Sequence, residues 1–172
     1  MPGKKLPPKA FVATFSESAT ASQAASGVPA LVTLGQAALE SGWGAHAPGF
    51  NFFGIKAKAS MPENMRQLLK TREVMSRPDA KFPEVISVTP RPDGKYDYAV
   101  RDWFRVYPDA ATAFGEHGTF LVRNKRYAKA FTVVHDPYAF ATEVARAGYA
   151  TGPTYEKELH AVMRMIEKAG GG

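Results

Sequence analysis

Residues 30–56 read ALVTLGQAALESGWGAHAPGFNFFGIK, and the fold is decided in this stretch. Its first part, residues 29–41, predicts a helix, because proline suits a first helical turn and Gly42 is a typical helix stop. The helix is apolar nearly all round, which predicts that it is buried and opens into a wet site along one face. Three polar residues share that face at spacings of i, i+3 and i+7: Thr33, Gln36 and Glu40.

Glu40 is the candidate general acid of this sequence. A carboxylate in the last turn of a helix faces the negative end of the helix dipole, and partial burial beside Leu39 and Trp43 disfavours its charge further. Both effects are expected to raise the pKa of the carboxyl group, as a proton donor near neutral pH requires. The alternative is a solvated glutamate at a helix end. The Gly-Trp-Gly turn and the aromatic run that follow favour the functional interpretation.

The rest of the chain predicts a mainly α fold with a small β lobe. Further helices are predicted at Pro8 to Ser26, from Pro108 onward, at Tyr138 to Ala147 and at Thr154 to Ala169. Residues 63–75 predict another helix, with Leu68 and Leu69 facing inward. Residues 84–106 predict β structure with a hairpin turn at Asp93-Gly94. His117 lies on the buried face of its helix, where a histidine is typically a hydrogen-bonded core residue rather than a catalytic base.

Several motifs resemble one known family. LGQAALESGWG followed by NFFGIK resembles the glucosaminidase domain of bacterial peptidoglycan hydrolases. The resemblance resumes in FRVYPDAATAFGEHGTFLVRNKRYAKAF and in DPYAFATEVARAGYATGPTYEKELHAVM, so it covers residues 9–168 apart from a middle near residues 58–101. It implies a lysozyme-like α+β fold, in which a substrate groove lies between a helical body and a small antiparallel β lobe. It also implies one catalytic domain, 1–172, in which residues 58–101 form an insertion and the β lobe.

The resemblance also implies an activity and a set of site residues. The expected reaction is hydrolysis of β-1,4 bonds in peptidoglycan glycan strands by an endo-β-N-acetylglucosaminidase, with Glu40 as general acid. Tyr149, the tyrosine of AGYAT, would orient the sugar or stabilise the developing charge; the alternative is a tyrosine that packs one helix onto the next. The sugar subsites are expected to be lined by Trp43, Asn51, Phe52, Phe53 and Lys56. For the two phenylalanines the alternative is a place in the core.

The second catalytic group is an open question at this level. The usual glycosidase scheme uses a second carboxylate as base or nucleophile. The family has a glutamate in its β lobe to which this role has been assigned. In this sequence the corresponding position falls around residues 89–91, which contain no carboxylate. The candidates are Glu84, Asp93, Asp97 and Asp102. Asp93 is expected to be used by its turn, and Glu84 is the chosen residue. A route through the substrate's own 2-acetamido oxygen needs no second carboxylate.

Composition and charge bear on the domain organisation, the need for a metal or cofactor, and the kind of partner. The chain has 172 residues, 45% of them hydrophobic, which suits one globular domain with a core. Cysteine is absent and the four histidines are scattered, so we expect no disulfide, no metal site and no cofactor. The net charge of +6 suits an anionic polymer such as peptidoglycan with its peptide carboxylates. The basic residues form no dense run, so a nucleic acid partner is not expected.

The setting and the alternatives complete the expectations. The N-terminus lacks an apolar signal region, and no membrane-spanning run is present. We therefore expect a protein that is made in the cytoplasm and reaches the wall by holin release or injection. We also expect it to be a monomer. Three other functions stay open: a muramidase or lytic transglycosylase in the same groove, an inactive wall-binding module, and a basic nucleic-acid-binding domain.

Overall fold

The computed structural model describes residues 3–171 and divides the chain into two compact units. The first unit takes in Met1–Phe53 and Tyr107–Gly172, and the second is Gly54–Val106. The second unit contains residues 58–101, for which an insertion and a β lobe were predicted. Across residues 3–171, no helix has both the length and the apolar character needed to cross a membrane.

The first unit is helical. Its helices are α1 (Pro8–Ser26), α2 (Ala30–Ser41), α3 (Ala110–Arg123), α4 (Pro137–Arg146) and α5 (Tyr155–Lys168). Each of these helices was predicted from the sequence, and every predicted bound lies within two residues of the observed one. Two prolines lie outside the helices they were expected to begin. Pro29 is the N-cap of α2. Pro108 precedes Asp109, whose carboxylate accepts a hydrogen bond from the Thr112 N–H at 2.7 Å and so caps α3.

Helix α2 runs through the core of this unit. Every residue from Ala30 to Ala38 is buried, so the helix is surrounded by protein over most of its length. At Gly35 helix α5 approaches so closely that a Cβ atom would lie 2.7 Å from Cγ of Met163. The absence of a side chain at Gly35 therefore allows α2 and α5 to pack this closely.

Helix α4 depends on a capping side chain. The Asp136 carboxylate accepts hydrogen bonds from the backbone N–H groups of Tyr138 and Ala139, both at 3.1 Å, and Pro137 follows at the first helical position. We expect Asp136→Ala to lower the free energy of unfolding by about 1 kcal/mol, since two N–H groups lose their acceptor. Urea unfolding followed by circular dichroism measures the change. Asp136→Asn is the matched control, because asparagine caps equally well; an equal loss in both variants would contradict the assignment.

The second unit contains a three-stranded antiparallel sheet with the order β1-β3-β2. The strands are β1 (Arg66–Met75), β2 (Glu84–Pro90) and β3 (Tyr96–Arg105). The predicted hairpin joins β2 to β3: Gly94 has a φ of 81°, and the Arg91 N–H donates to the Lys95 carbonyl at 2.8 Å. Tyr98 and Val100 are buried with Ala80 in a small core of this unit. Both alternate with the less buried Asp97 and Ala99, as in a strand that presents one face to a core.

The helix predicted for residues 63–75 is wrong, because most of this segment is strand β1. It pairs with β3 over ten residues, from Arg66 opposite Arg105 to Met75 opposite Tyr96. Burial in β1 alternates with a period of two, as a strand requires. The residues QLLKTRE have good intrinsic helix propensity, and the ladder to a strand some thirty residues away overrides it.

Candidate active site

Glu40 emerges at the end of the buried helix α2. The helix stops at Gly42, which has a φ of 58° and donates its N–H to the Ala38 carbonyl. The Glu40 side chain is exposed, yet the protein around it removes enough water to raise the pKa of its carboxyl group. Within residues 3–171 it forms no ion pair that would favour the charged state. The raised pKa predicted for Glu40 therefore has burial as its cause.

Tyr149 lies in the electrostatic reach of Glu40. Burial raises the pKa of the Tyr149 phenol well above its ordinary value, and the charges of Tyr155 and Glu40 act in the same direction. The Tyr149 ring stacks on Tyr155 with centroids 5.7 Å apart and meets His117 edge-on at 5.9 Å. Tyr149 thus packs the segment that follows α4 onto α3 and α5, as the alternative interpretation had it, and it also stands beside the acid as a phenol that remains protonated.

A buried amide ties this aromatic cluster to α2. Gln36 is fully buried; its Nε2 donates to the Tyr155 hydroxyl at 3.0 Å, and its Oε1 pairs with His117 Nε2 at 2.8 Å. Because an amide oxygen only accepts, His117 carries its proton on Nε2. Burial lowers the pKa of His117 to about 3, so the ring is neutral. The prediction of a hydrogen-bonded core histidine is confirmed.

The polar stripe of α2 is not the wet face that its pattern predicted. Thr33 and Gln36 both have an exposed fraction of 0%, and only Glu40 of the three reaches solvent. Gln36 uses both ends of its amide on partners from α3 and α5. The stripe thus acts as an internal polar connection that ends at the candidate acid.

Phe52 and Phe53 have different environments. Phe52 is 2% exposed and packs against Phe15 and Phe114, with ring centroids 5.1 and 5.2 Å apart, so it offers no face to a sugar and its predicted binding role is wrong. Phe53 is half-buried, and its ring stacks on His117 at 3.9 Å and 10°. Asn51 is 4% exposed and engaged in an interaction of its own. Of the pair, Phe53 is the one that joins the cluster around Tyr149.

Trp43 belongs to a different part of this unit. Its ring meets Phe11 edge-on at 5.5 Å, and its carbonyl accepts a hydrogen bond from the Leu6 N–H at 2.9 Å. It lines a cavity of about 370 Å³ together with the N-terminal segment and Met165. The structure therefore does not bring Trp43 into the cluster of Phe53, His117 and Tyr149, and a role in sugar binding stays a prediction.

In the second unit, Lys56 is bound to carboxylates. Its Nζ atom donates to Asp102 at 2.6 Å and also contacts Glu73. Burial by itself lowers the pKa of Lys56, but the hydrogen bonds and charges of Asp102 and Glu73 outweigh it, so the pKa is raised. Lys56 also lies over the Phe104 ring, 5.5 Å from its centroid. The raised pKa keeps the Lys56 side chain positively charged, and its contact with a sugar remains a prediction.

The four candidates for a second carboxylate all contact basic side chains. Glu84 pairs with Arg101 at 3.0 Å across neighbouring strands, with half of its side chain exposed. Asp93 binds Arg91 and the Lys95 N–H, as expected of a residue used by its turn. Asp97 also binds Arg91, at 3.0 Å, and Asp102 binds Lys56. None of the four resembles Glu40, whose carboxyl group is desolvated by the surrounding protein and, within residues 3–171, forms no ion pair with a basic side chain.

Sequence reasoning missed two tyrosines of the cluster. Tyr127 and Tyr155 both lie beside Tyr149, with ring centroids 6.3 and 5.7 Å away. Gln36 was visible in the polar stripe, but its partners lie 81 and 119 residues further along the chain. A tyrosine that begins the apolar face of the last helix was the signal available for Tyr155.

His117 makes stability depend on pH. Between about pH 3 and the unfolded value of 6.5, the unfolded chain binds a proton that the folded protein does not, so stability is complete above pH 6.5 and falls as pH falls. We expect His117 to account for a loss of about 2 kcal/mol between pH 7 and pH 5. Denaturant unfolding at several pH values measures this slope. His117→Gln should flatten it, and exposed His135→Gln should not; unchanged slopes in both would contradict the assignment.

Comparison with known sequences shows which proteins this chain resembles. The model of a family described as "Glucosaminidase: Mannosyl-glycoprotein endo-beta-N-acetylglucosaminidase" matches residues 16–168, including the whole second unit. The chain is 32% identical over 166 residues to the peptidoglycan hydrolase FlgJ of Salmonella typhimurium, covering 92% of this chain and 46% of that protein. It is 28% identical to a probable N-acetylmuramidase of Lactococcus lactis, covering 90% of this chain and 33% of that one. The chain spans about half the length of the FlgJ proteins it matches.

Comparison with solved structures supports the same assignment. The glycoside hydrolase domain of Salmonella typhimurium FlgJ matches with a TM-score of 0.70 and 30% identity, covering 96% of this chain and 91% of that one. A peptidoglycan hydrolase mutant from Sphingomonas sp. A1 matches with a TM-score of 0.65 and 26% identity, covering 94% and 97%. The predicted class, a mainly α lysozyme-like fold with a small antiparallel sheet, is confirmed.

Proposed function

Because this chain belongs to the glucosaminidase family of glycoside hydrolases, we propose that it hydrolyses β-1,4 bonds in peptidoglycan glycan strands as an endo-β-N-acetylglucosaminidase. The observation that carries the proposal is Glu40, a carboxyl group with a pKa raised by burial at the end of a buried helix. A phenol with a raised pKa, Tyr149, stands within reach of its charge. The substrate is argued from the FlgJ relatives, which are named peptidoglycan hydrolases.

Glu40 acts in its protonated form. It donates its proton to the glycosidic oxygen as the bond to the anomeric carbon breaks, which leaves an oxocarbenium-like sugar on one side and an alcohol on the other. Water then adds to the anomeric carbon and returns a proton to Glu40. The neutral Tyr149 hydroxyl donates a hydrogen bond that orients the sugar at this carbon. Gln36, Tyr155 and His117 hold Tyr149 in place from the interior.

The second catalytic group is the substrate's own acetamido oxygen. This oxygen attacks the anomeric carbon from the face opposite the leaving group, and water opens the resulting ring. The supporting observation is that all four carboxylate candidates of the β lobe already bind Lys or Arg side chains. Glu84 is the alternative nucleophile or base. Glu84→Gln separates the two, since an acetamido route retains most activity and a Glu84 route loses it.

A second candidate function is cleavage on the other side of the disaccharide. The Lactococcus lactis relatives are named probable N-acetylmuramidases, and they are 27–28% identical to this chain. A muramidase or a lytic transglycosylase would use the same proton donor. Their products differ from those of a glucosaminidase in the sugar at the new end. We propose further that the protein acts on the cell wall as a monomer.

Product analysis tests the proposal directly. Purified sacculi are digested with the protein and the soluble fragments are identified by mass spectrometry. Reducing N-acetylglucosamine ends are the expected result. Reducing muramic acid ends would show a muramidase, and anhydro-muramic ends would show a transglycosylase. Binding to sacculi without any released fragment would replace the enzyme by a wall-binding module.

A further inference from the structure

We propose that an open cleft at the C-terminal end of α3 is a subsite for a sugar that carries a stem peptide. In this subsite Phe120 stacks against the sugar, and Arg123 and Lys125 bind carboxylates of the peptide. The inference rests on the proposed function, because it concerns how the same substrate is recognised. It adds a specificity for peptide-bearing strands over bare glycan.

The cleft has the size of a binding site. Its volume is about 770 Å³, within the usual range for small-ligand pockets. It is lined by Glu116, Thr119, Phe120, Arg123, Asn124 and Lys125. Phe120 is 44% exposed, so a large part of its surface is open to solvent. A pyranose ring has an apolar face of C–H groups, which an exposed aromatic ring covers well.

A chain of packed aromatic rings connects the cleft to the surroundings of the candidate acid. The Phe120 ring lies 5.9 Å from Tyr127, and Tyr127 lies 6.3 Å from Tyr149, whose phenol senses the charge of Glu40. Phe120 also stacks near His117 at 6.5 Å. The cleft therefore belongs to the same helical unit as Glu40, and we place in it a sugar that neighbours the scissile bond.

The cleft is lined by two cations, Arg123 and Lys125, and one carboxylate, Glu116, so its positive charge is in excess and suits an anionic ligand. Within residues 3–171, Arg123 and Lys125 form no ion pair, whereas Arg101 in the other unit is paired with a carboxylate. Two unpaired cations beside an aromatic ring complement a sugar that bears carboxylates. Asn124 lies between them in sequence, and its Oδ1 accepts from the Arg126 N–H at 3.3 Å. Its amide N–H groups can donate hydrogen bonds to a carbonyl oxygen, such as that of a peptide or an acetamido group.

The test compares two substrates that differ only in their peptides. Soluble glycan strands are prepared with their stem peptides intact, and a second portion is stripped of peptides by an amidase. For Arg123→Gln/Lys125→Gln we expect kcat/KM and affinity to fall roughly three- to tenfold on peptide-bearing strands and less than about twofold on bare strands. Lys157→Gln/Arg164→Gln removes the same charge from another cavity and is expected to change neither substrate.

Phe120→Ala tests the sugar contact separately. Because the ring contacts sugar and not peptide, both substrates should be weakened, and the exposed Val122→Ala on the same helix should weaken neither. Calorimetric binding is measured together with turnover, so the subsite is tested even if the wild type cleaves neither strand, an outcome that would reject the proposed function alone. Equal effects of the double variant on peptide-bearing and bare strands would overturn the subsite.

Discussion

Glu40→Gln is expected to slow glycan cleavage by about 10²- to 10⁴-fold, the usual contribution of a general acid. Glutamine has nearly the same shape as glutamate but has no acidic proton to give to the leaving oxygen. Glu40 has a pKa raised by burial and, within the described residues 3–171, no basic partner. The substitution therefore removes the proton donor and little else.

Initial rates of fragment release from sacculi measure this effect. The control is Glu17→Gln, an exposed position on α1, which should cleave at the wild-type rate. The folded state holds the Glu40 charge in a desolvated place, so Glu40→Gln should be at least as stable as the wild type at pH 7. Cleavage at the wild-type rate by Glu40→Gln would place the acid at another residue.

The same carboxyl group should set the alkaline side of the pH profile. A general acid must be protonated, so activity falls as pH rises through its pKa. Because burial raises that pKa, the falling limb of kcat/KM is expected above the ordinary range of a glutamate. A falling limb near the ordinary value would mean that Glu40 is not the group that titrates.

Phe114→Ala is expected to lower the free energy of unfolding by about 3–5 kcal/mol. The ring is fully buried and lies 5.2 Å from Phe52, 6.1 Å from Phe53 and 6.2 Å from Phe15. Its removal leaves a cavity among three aromatic rings whose positions are fixed by other contacts, so the surroundings close only in part. Chemical denaturation at pH 7 gives the change in unfolding free energy.

Phe120→Ala on the same helix is the matched control for stability. It deletes the same atoms from a ring that is 44% exposed, so the expected loss is under about 1 kcal/mol. The contrast isolates burial from residue type and from helix propensity, which are identical in the two variants. Similar losses at the two positions would mean that α3 does not present its Phe114 side to the core.

Local patterns were enough for the helices and the hairpin. The bounds of α1 follow from an apolar face and a glycine stop, α4 begins at an Asp-Pro pair, and Asp93-Gly94 marks the turn between β2 and β3. Each of these signals acts between residues a few positions apart, so the sequence contains it directly. Glu40 was found in the same way, because its position at the end of an apolar helix is a local fact.

Long-range contacts decided the rest. Strand β1 has the local composition of a helix, and only its ladder with β3 makes it a strand. Phe52 and Phe53 are adjacent and chemically identical, but packing against Phe114 buries one, and a stack on His117 places the other beside the cluster. By itself the sequence determined helices α1 to α5 and the hairpin, and it indicated Glu40 as the candidate acid. Only the tertiary structure decided which aromatic and polar groups surround that acid, because burial and hydrogen bonding between distant residues depend on how the elements pack.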